Sequence, residues 1–305
     1  MLPLSLTGEA ALVARRALYT VAMCDGELDP REQLLLSLDS EPEEPAVSLQ
    51  VISPEEVGER IVDPQARRAL IQRLVLMSAL DEEIRPEELA TVRKFAKALA
   101  IDEPAVTQLE LLGKRRILTL GFDLMRKGFL AKQLKKEWQE KGLRGLVAMA
   151  RAGGGNPALA LRYQGLEALP KDSLGHHLFR HFRTNQFSLP GEEGAAPEAL
   201  LFHDLGHVLT GYHTDAPGEI QMTGFEAGYM REDGFSAVML GLILFHYGMR
   251  PPGFQATPTK GQFDVPSFQR AYQQGCRLQQ DLREFPFWQY AEHPLAQVQT
   301  LLGMG

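Results

Sequence analysis

Cysteine is almost missing from this chain: Cys24 and Cys276 are the only two in 305 residues, so no disulfide framework can hold the fold. No positively charged start precedes an apolar stretch at the N-terminus, so no secretory leader is expected, and the two absences together point to a reducing, cytoplasmic compartment. Long apolar runs are also lacking. The longest, Val238 to Phe245, falls far short of the roughly 20 residues that span a bilayer, which excludes integral membrane residence. Sustained alternation of β-branched residues does not occur, so the periodicity reads as helical throughout and the expected fold class is all-α. The glycine run Gly153, Gly154 and Gly155, followed by Asn156 and Pro157, has neither the GxGxxG spacing nor a following Lys-Ser/Thr, so it reads as punctuation rather than a phosphate cradle.

What is present is apolar content enough for a core or two, 44% of a 33.9 kDa chain, and an uneven distribution of charge. The net charge of -7 conceals an acidic stretch over 1–112, with 11 Lys/Arg against 21 Asp/Glu, and a basic one over 113–150, with 10 against 3. An acidic first third argues against nucleic acid as a partner. The expected organisation is a helical domain over 1–112, basic linker helices over 113–150, and a second helical domain over 151–305.

Within 1–112, Asp29-Pro-Arg-Glu32 and Ser53-Pro-Glu-Glu56 have the form of capping boxes with Pro at the first helical position. Val47 to Ile52 is short enough to be a strand or a packed turn. Two segments, LYTVAMCDGELDPREQLLL and LVLMSALDEEIRPEELATV, share one plan: an apolar helix, an acidic turn, and a Pro-led second helix. Over roughly residues 10 to 112 this resembles the TerB family of tellurite-resistance domains. The resemblance implies metal at the acidic turn, with Asp25, Glu27, Asp29 and Glu32 as candidates, although Asp29 and Glu32 are equally explained as helix caps. In the basic segment Phe129, Leu130, Leu134 and Trp138 recur at helical spacing among Lys132, Lys135, Lys136 and Lys141. Such a helix suits either an anionic membrane surface or docking on a neighbouring domain.

Chemistry concentrates at His203-Asp204-Leu205-Gly206-His207, followed after eleven residues by Glu219. On a helix the positions i, i+1 and i+4 fall within an arc of about 100°, so one face presents two imidazoles and a carboxylate. Gly211, Pro217 and Gly218 can turn the chain back and set Glu219 at the start of a facing helix, closing a site of two nitrogens and two oxygens. Apolar neighbours, among them Phe202, Leu205 and Leu209, make these ionisable groups costly to bury without a cation. His177 and His181 also stand at i,i+4, but no carboxylate shares their spacing.

The pattern H-D-x-x-H-x11-E resembles the signature of the Coq-four family of coenzyme Q (ubiquinone) biosynthesis proteins. Leu169-Pro170, Ser173-Leu-Gly175, HDLGHVLTG, Gly218 to Ile220 and Phe225 to Gly228 follow that family's order, over roughly residues 140 to 250. An Arg-rich stretch usual before the His-Asp pair is replaced here by Pro-Glu-Ala-Leu-Leu-Phe, and the acidic N-terminal domain is an addition. The resemblance implies an all-α fold with a divalent metal (Zn, or Fe, Mn or Co) on His203, Asp204, His207 and Glu219, with Asp204 as fourth ligand or base and Glu226 as a further acidic, supporting position. It also implies a polyprenylated aromatic substrate whose ring carboxylate is removed and replaced by hydroxyl, or else a scaffold that presents such a lipid. Partners would be the inner face of a membrane and other quinone-biosynthesis proteins, with a homo-oligomer left open. An apolar cleft is expected between helices starting near Glu198 and Glu219 and the segment Gly234 to Gly248, with Gly206, Gly224, Gly228 and Gly241 removing bulk where the lipid tail would run. Two rivals are a zinc protease of the HExxH type and an HD-type phosphohydrolase using His176, His177 or His181 with Asp233.

Overall fold

The computed structural model describes residues 6–38, 49–81, 83–120, 155–231, 234–250 and 257–304. Among these the fold is all-α, with two isolated β-bridges and no strand. No helix among the described residues is long and apolar enough to cross a membrane. The amphipathic helix expected around Phe129 to Lys141, Gly153, Gly154, and Asp233 lie outside the described residues.

The chain divides into two compact units, Met1–Gly128 with Arg231–Gln269, and Phe129–Met230 with Arg270–Gly305. This corrects the expectation of a continuous second domain over 151–305: residues 231–269 belong with the N-terminal unit.

In the first unit proline starts the helices. α1 (Gly8–Ala22) is followed by α2 (Pro30–Leu38), α3 (Pro54–Arg60), α4 (Pro64–Ser78), α5 (Pro86–Ala98) and α6 (Pro104–Gly113), the last five each opening on Pro, whose missing N–H would be unpaired there in any case. The expected caps form. Asp29 N–H donates to Glu32 Oε2 at 2.8 Å and Arg31 N–H to Asp29 Oδ1 at 2.7 Å, while Ser53 Oγ accepts from Glu56 N–H at 3.2 Å. Residues 49–52 form no strand and pack on α1: Ile52 N–H donates to Thr20 Oγ1 and Arg16 reaches the carbonyls of Gln50 and Val51. α4 packs on α1 and is buried along Leu70, Ile71, Leu74, Val75 and Met77. α11 (Phe235–Gly241), continued by a π-helical turn over Leu242–His246, packs on α6. Tyr247 Oη then donates to the carbonyls of Ala79 (3.2 Å) and Asp81 (3.0 Å), which ties the later segment to the first unit.

The second unit holds α7 (Pro157–Gln164), α8 (Leu174–Thr184), α9 (Leu201–Thr210) and α10 (Ala216–Met230), with α13 (Phe287–Tyr290) and α14 (Leu295–Leu301) closing it. α12 (Val265–Arg277) enters it at Arg270. Its core is built on Tyr163, Leu178, Phe182, Phe202, Leu205, Met222, Phe225 and Phe287. α10 and α12 cross at glycine: a Cβ on Gly228 would stand 2.4 Å from Tyr272 O, and one on Gly275 2.0 Å from Phe225 O. A Cβ on Gly206 would likewise meet the end of the Met222 side chain, at 2.3 Å. These glycines serve close helix approach, so the expectation that Gly206 and Gly228 open room for a lipid tail is not met.

Candidate metal centre

α9 carries His203 and His207 one turn apart, and it stops at Gly211, a left-handed cap with φ +75°. The chain returns tightly. Asp215 Oδ1 accepts from Gly218 N–H at 2.9 Å, and a Cβ on Gly218 would collide with the His213 carbonyl, so this reversal needs glycine. Glu219 thus falls in the first turn of α10, facing α9.

His203, His207 and Glu219 converge, each offering one ligand atom within 4.8 Å of the others. His203 Nε2 and His207 Nε2 are 3.2 Å apart, and the two Glu219 oxygens lie 3.3 Å from one imidazole each. Donors bound to one ion at about 2.0–2.2 Å in tetrahedral geometry are separated by about 3.3–3.6 Å, and each imidazole lies that far from one of the two Glu219 oxygens, so this triangle of side chains could hold a divalent cation. The ring orientations agree. His203 Nδ1 donates to Glu226 Oε1 at 2.8 Å and His207 Nδ1 to the Tyr212 carbonyl at 2.9 Å, which leaves each Nε2 as a lone-pair donor aimed at the shared point. The side chains of His207 and Glu226 are 1% and 6% exposed, those of His203 and Glu219 35% and 20%, so the group is sealed behind and reachable in front.

Burial pushes the His203 imidazole toward neutrality, but the Glu226 and Glu219 carboxylates outweigh it and hold the ring well above the ordinary imidazole value. For Glu219, burial would raise the carboxyl, yet His203 and His207 draw it down to about 2. A proton and a metal ion are alternative occupants of this spot.

Asp204 is not part of the triangle. It lies 100° around the helix from His203, and its Oδ1 accepts from His181 Nε2 of α8 at 3.2 Å. The arc that fits three ligands on one face is also wide enough to serve two neighbouring helices, and here it does: His203 and His207 meet α10 while Asp204 meets α8. Sequence spacing undervalued His181 because its carboxylate partner is distant in the chain. Asn185 Nδ2 reaches His181 Nδ1 at 3.4 Å, and the His181 and His207 rings stack at 5.4 Å. Glu226 supports His203 and is not itself in the converging set.

Elsewhere, Asp25, Glu27, Asp29 and Glu32 line a cavity of about 750 Å³ together with Asp81, Glu83 and Arg85. Arg85 pairs with Asp25 and Asp81, while Asp29 and Glu32 are engaged in capping. Among the described residues this acidic group is not one that brings three metal-ligand atoms together. The chain matches no protein-family model, no curated protein and no solved structure. What fold and site define is an all-α protein with a group of two histidines and one carboxylate that could hold a metal ion.

Proposed function

We propose that this chain is a metal-dependent enzyme of a polyprenylated aromatic acid, a quinone precursor, as the resemblance to the Coq-four family implies. One observation carries it: two imidazole acceptors face each other at 3.2 Å beside a carboxylate, each oriented by its own Nδ1 partner. Such an arrangement is stable only with a cation or proton between the lone pairs. Two histidines and one carboxylate with open positions suit Fe with dioxygen, and the same donors accept Zn, Mn or Co. The reaction balances as a two-electron oxidation of the ring carbon: ring carboxylic acid, water and dioxygen give ring hydroxyl, carbon dioxide and hydrogen peroxide. A cavity of about 390 Å³, lined by Leu201, Phe202 and Leu205 with Tyr163, Phe287 and Trp288 and by the charged Glu198 and Arg283, lies on the opposite face of α9 from the two histidines, so it is not the apolar cleft expected beside the metal group.

Elemental analysis of the full chain purified without added metal, followed by incubation with a prenylated hydroxybenzoate in air, tests the reading. Stoichiometric metal, carbon dioxide release and a hydroxylated product are expected. Absence of both metal and turnover overturns it, and tight lipid binding without turnover by metal-loaded protein moves the assignment to a lipid-presenting scaffold.

A further inference from the structure

Beside the metal group lies a second cavity, of about 330 Å³, whose lining is basic and polar. α8 is strongly two-faced: Leu174, Leu178 and Phe182 are buried, while His177, Arg180, His181 and Thr184, at i, i+3, i+4 and i+7, line the cavity. His213, from the reversal between α9 and α10, lines it too, and so does His207 of the metal group. No carboxylate is among its lining residues, and Arg180 forms no ion pair with a described residue. The nearby carboxylates are occupied, Asp204 by His181 and Glu219 by the two metal-group imidazoles. The Arg180 charge is felt by its neighbour one turn back on the same helix: burial first, then Arg180, holds the His177 imidazole below its ordinary value, which favours a neutral ring. A second cation does not fit this lining. Among the described residues these imidazoles do not converge as metal ligands, and Arg180 repels positive charge.

We propose that this cavity seats a small oxyanion, a carboxylate or a phosphate, through Arg180 with His177 and His213, directly beside the ion position at His207. Taken with the proposed function, on which this identification of the occupant rests, it is the seat of the substrate's anionic head. Arg180 supplies a fixed charge with a planar fork of donors, His177 a neutral donor, and the metal group the neighbouring positive charge.

Calorimetric titration of the full chain with inorganic phosphate and, separately, benzoate decides it, with metal present and after chelation. Arg180→Gln is expected to weaken both anions about tenfold or more, because a charge-assisted hydrogen bond is lost. Lys171→Gln, outside the cavity, should leave them unchanged. The tighter of the two anions names the source, aromatic acid or phosphomonoester. Anion affinity that survives Arg180→Gln but vanishes on chelation overturns the cavity while leaving the metal reading intact. Arg180-dependent binding by protein that never takes up metal upholds the cavity and removes the metal reading. Because Arg180 is exposed, the variant should keep the parent's melting temperature, and paired His177→Gln and His213→Gln variants should each weaken binding further.

Discussion

At the residue scale, the division of labour among three carboxylates is what distinguishes this site from a chance histidine pair. Glu219 is the carboxylate that meets both imidazoles, Glu226 orients His203, and Asp204 turns to His181. Three variants should therefore separate. Glu219→Gln should abolish stoichiometric metal, Glu226→Gln should lower metal affinity about 10- to 100-fold by loosening His203, and Asp204→Asn should retain the ion. Metal content after dialysis reads all three. Loss of metal in Asp204→Asn equal to that in Glu219→Gln would restore Asp204 as a ligand. His207→Ala should lose metal and, with it, the thermal stability that native-state binding adds.

At the scale of elements, the crossing of α10 and α12 is set by glycine. Gly228 and Gly275 allow backbone contact that a methyl group would block at 2.4 and 2.0 Å. Gly228→Ala or Gly275→Ala should cost on the order of 1–3 kcal/mol or more by forcing the helices apart. Since Glu226 lies on the same helix two residues before Gly228, between Phe225 and Gly228, Gly228→Ala should also weaken metal binding. Gly165→Ala is the comparison: nothing lies within 4 Å of its added Cβ, and the change should be neutral or stabilising by about 0.4–1 kcal/mol. Urea denaturation of the three variants checks the order, and equal stability of Gly228→Ala and Gly165→Ala would refute the crossing argument.

For the molecule as a whole, the acidic first unit sets the response to pH. Glu32 is pushed up to about 8, first by burial and then by Asp81, Glu88 and Asp29, against its hydrogen bond from Asp29 N–H. Glu88 is pushed to about 7, again chiefly by burial, with Asp81 adding to it and the Arg85 backbone and guanidinium opposing. Both folded-state values lie above the ordinary 4.5, so their contribution to stability is fully present below about pH 4.5 and is lost as pH rises through 7 to 8. Thermal melts from pH 5 to 8.5 should show this fall, and Glu32→Gln should flatten it while keeping the acceptor for Asp29 N–H. A Glu32→Gln melting profile parallel to the parent's would remove Glu32 as its cause.

Local signals were legible without the fold. Pro behind a polar cap marks a helix start because the first-turn N–H groups need acceptors nearby in sequence, and Asp29 and Ser53 show it. The pair His203 and His207 was equally legible, since one helical turn puts both on one face, and Glu219 followed from the Gly-Pro reversal between them. Tertiary structure alone decided what those faces meet. Asp204 goes to α8 because a 100° step directs it away from α10, and His181 becomes its partner across 23 residues. Residues 231–269 join the first unit because Tyr247 finds its partners 166 and 168 residues back, at Asp81 and Ala79, and α11 packs on α6, also distant in the chain. Composition and periodicity report which side of an element is apolar, whereas the identity of its neighbour is settled only when all the buried faces are packed together.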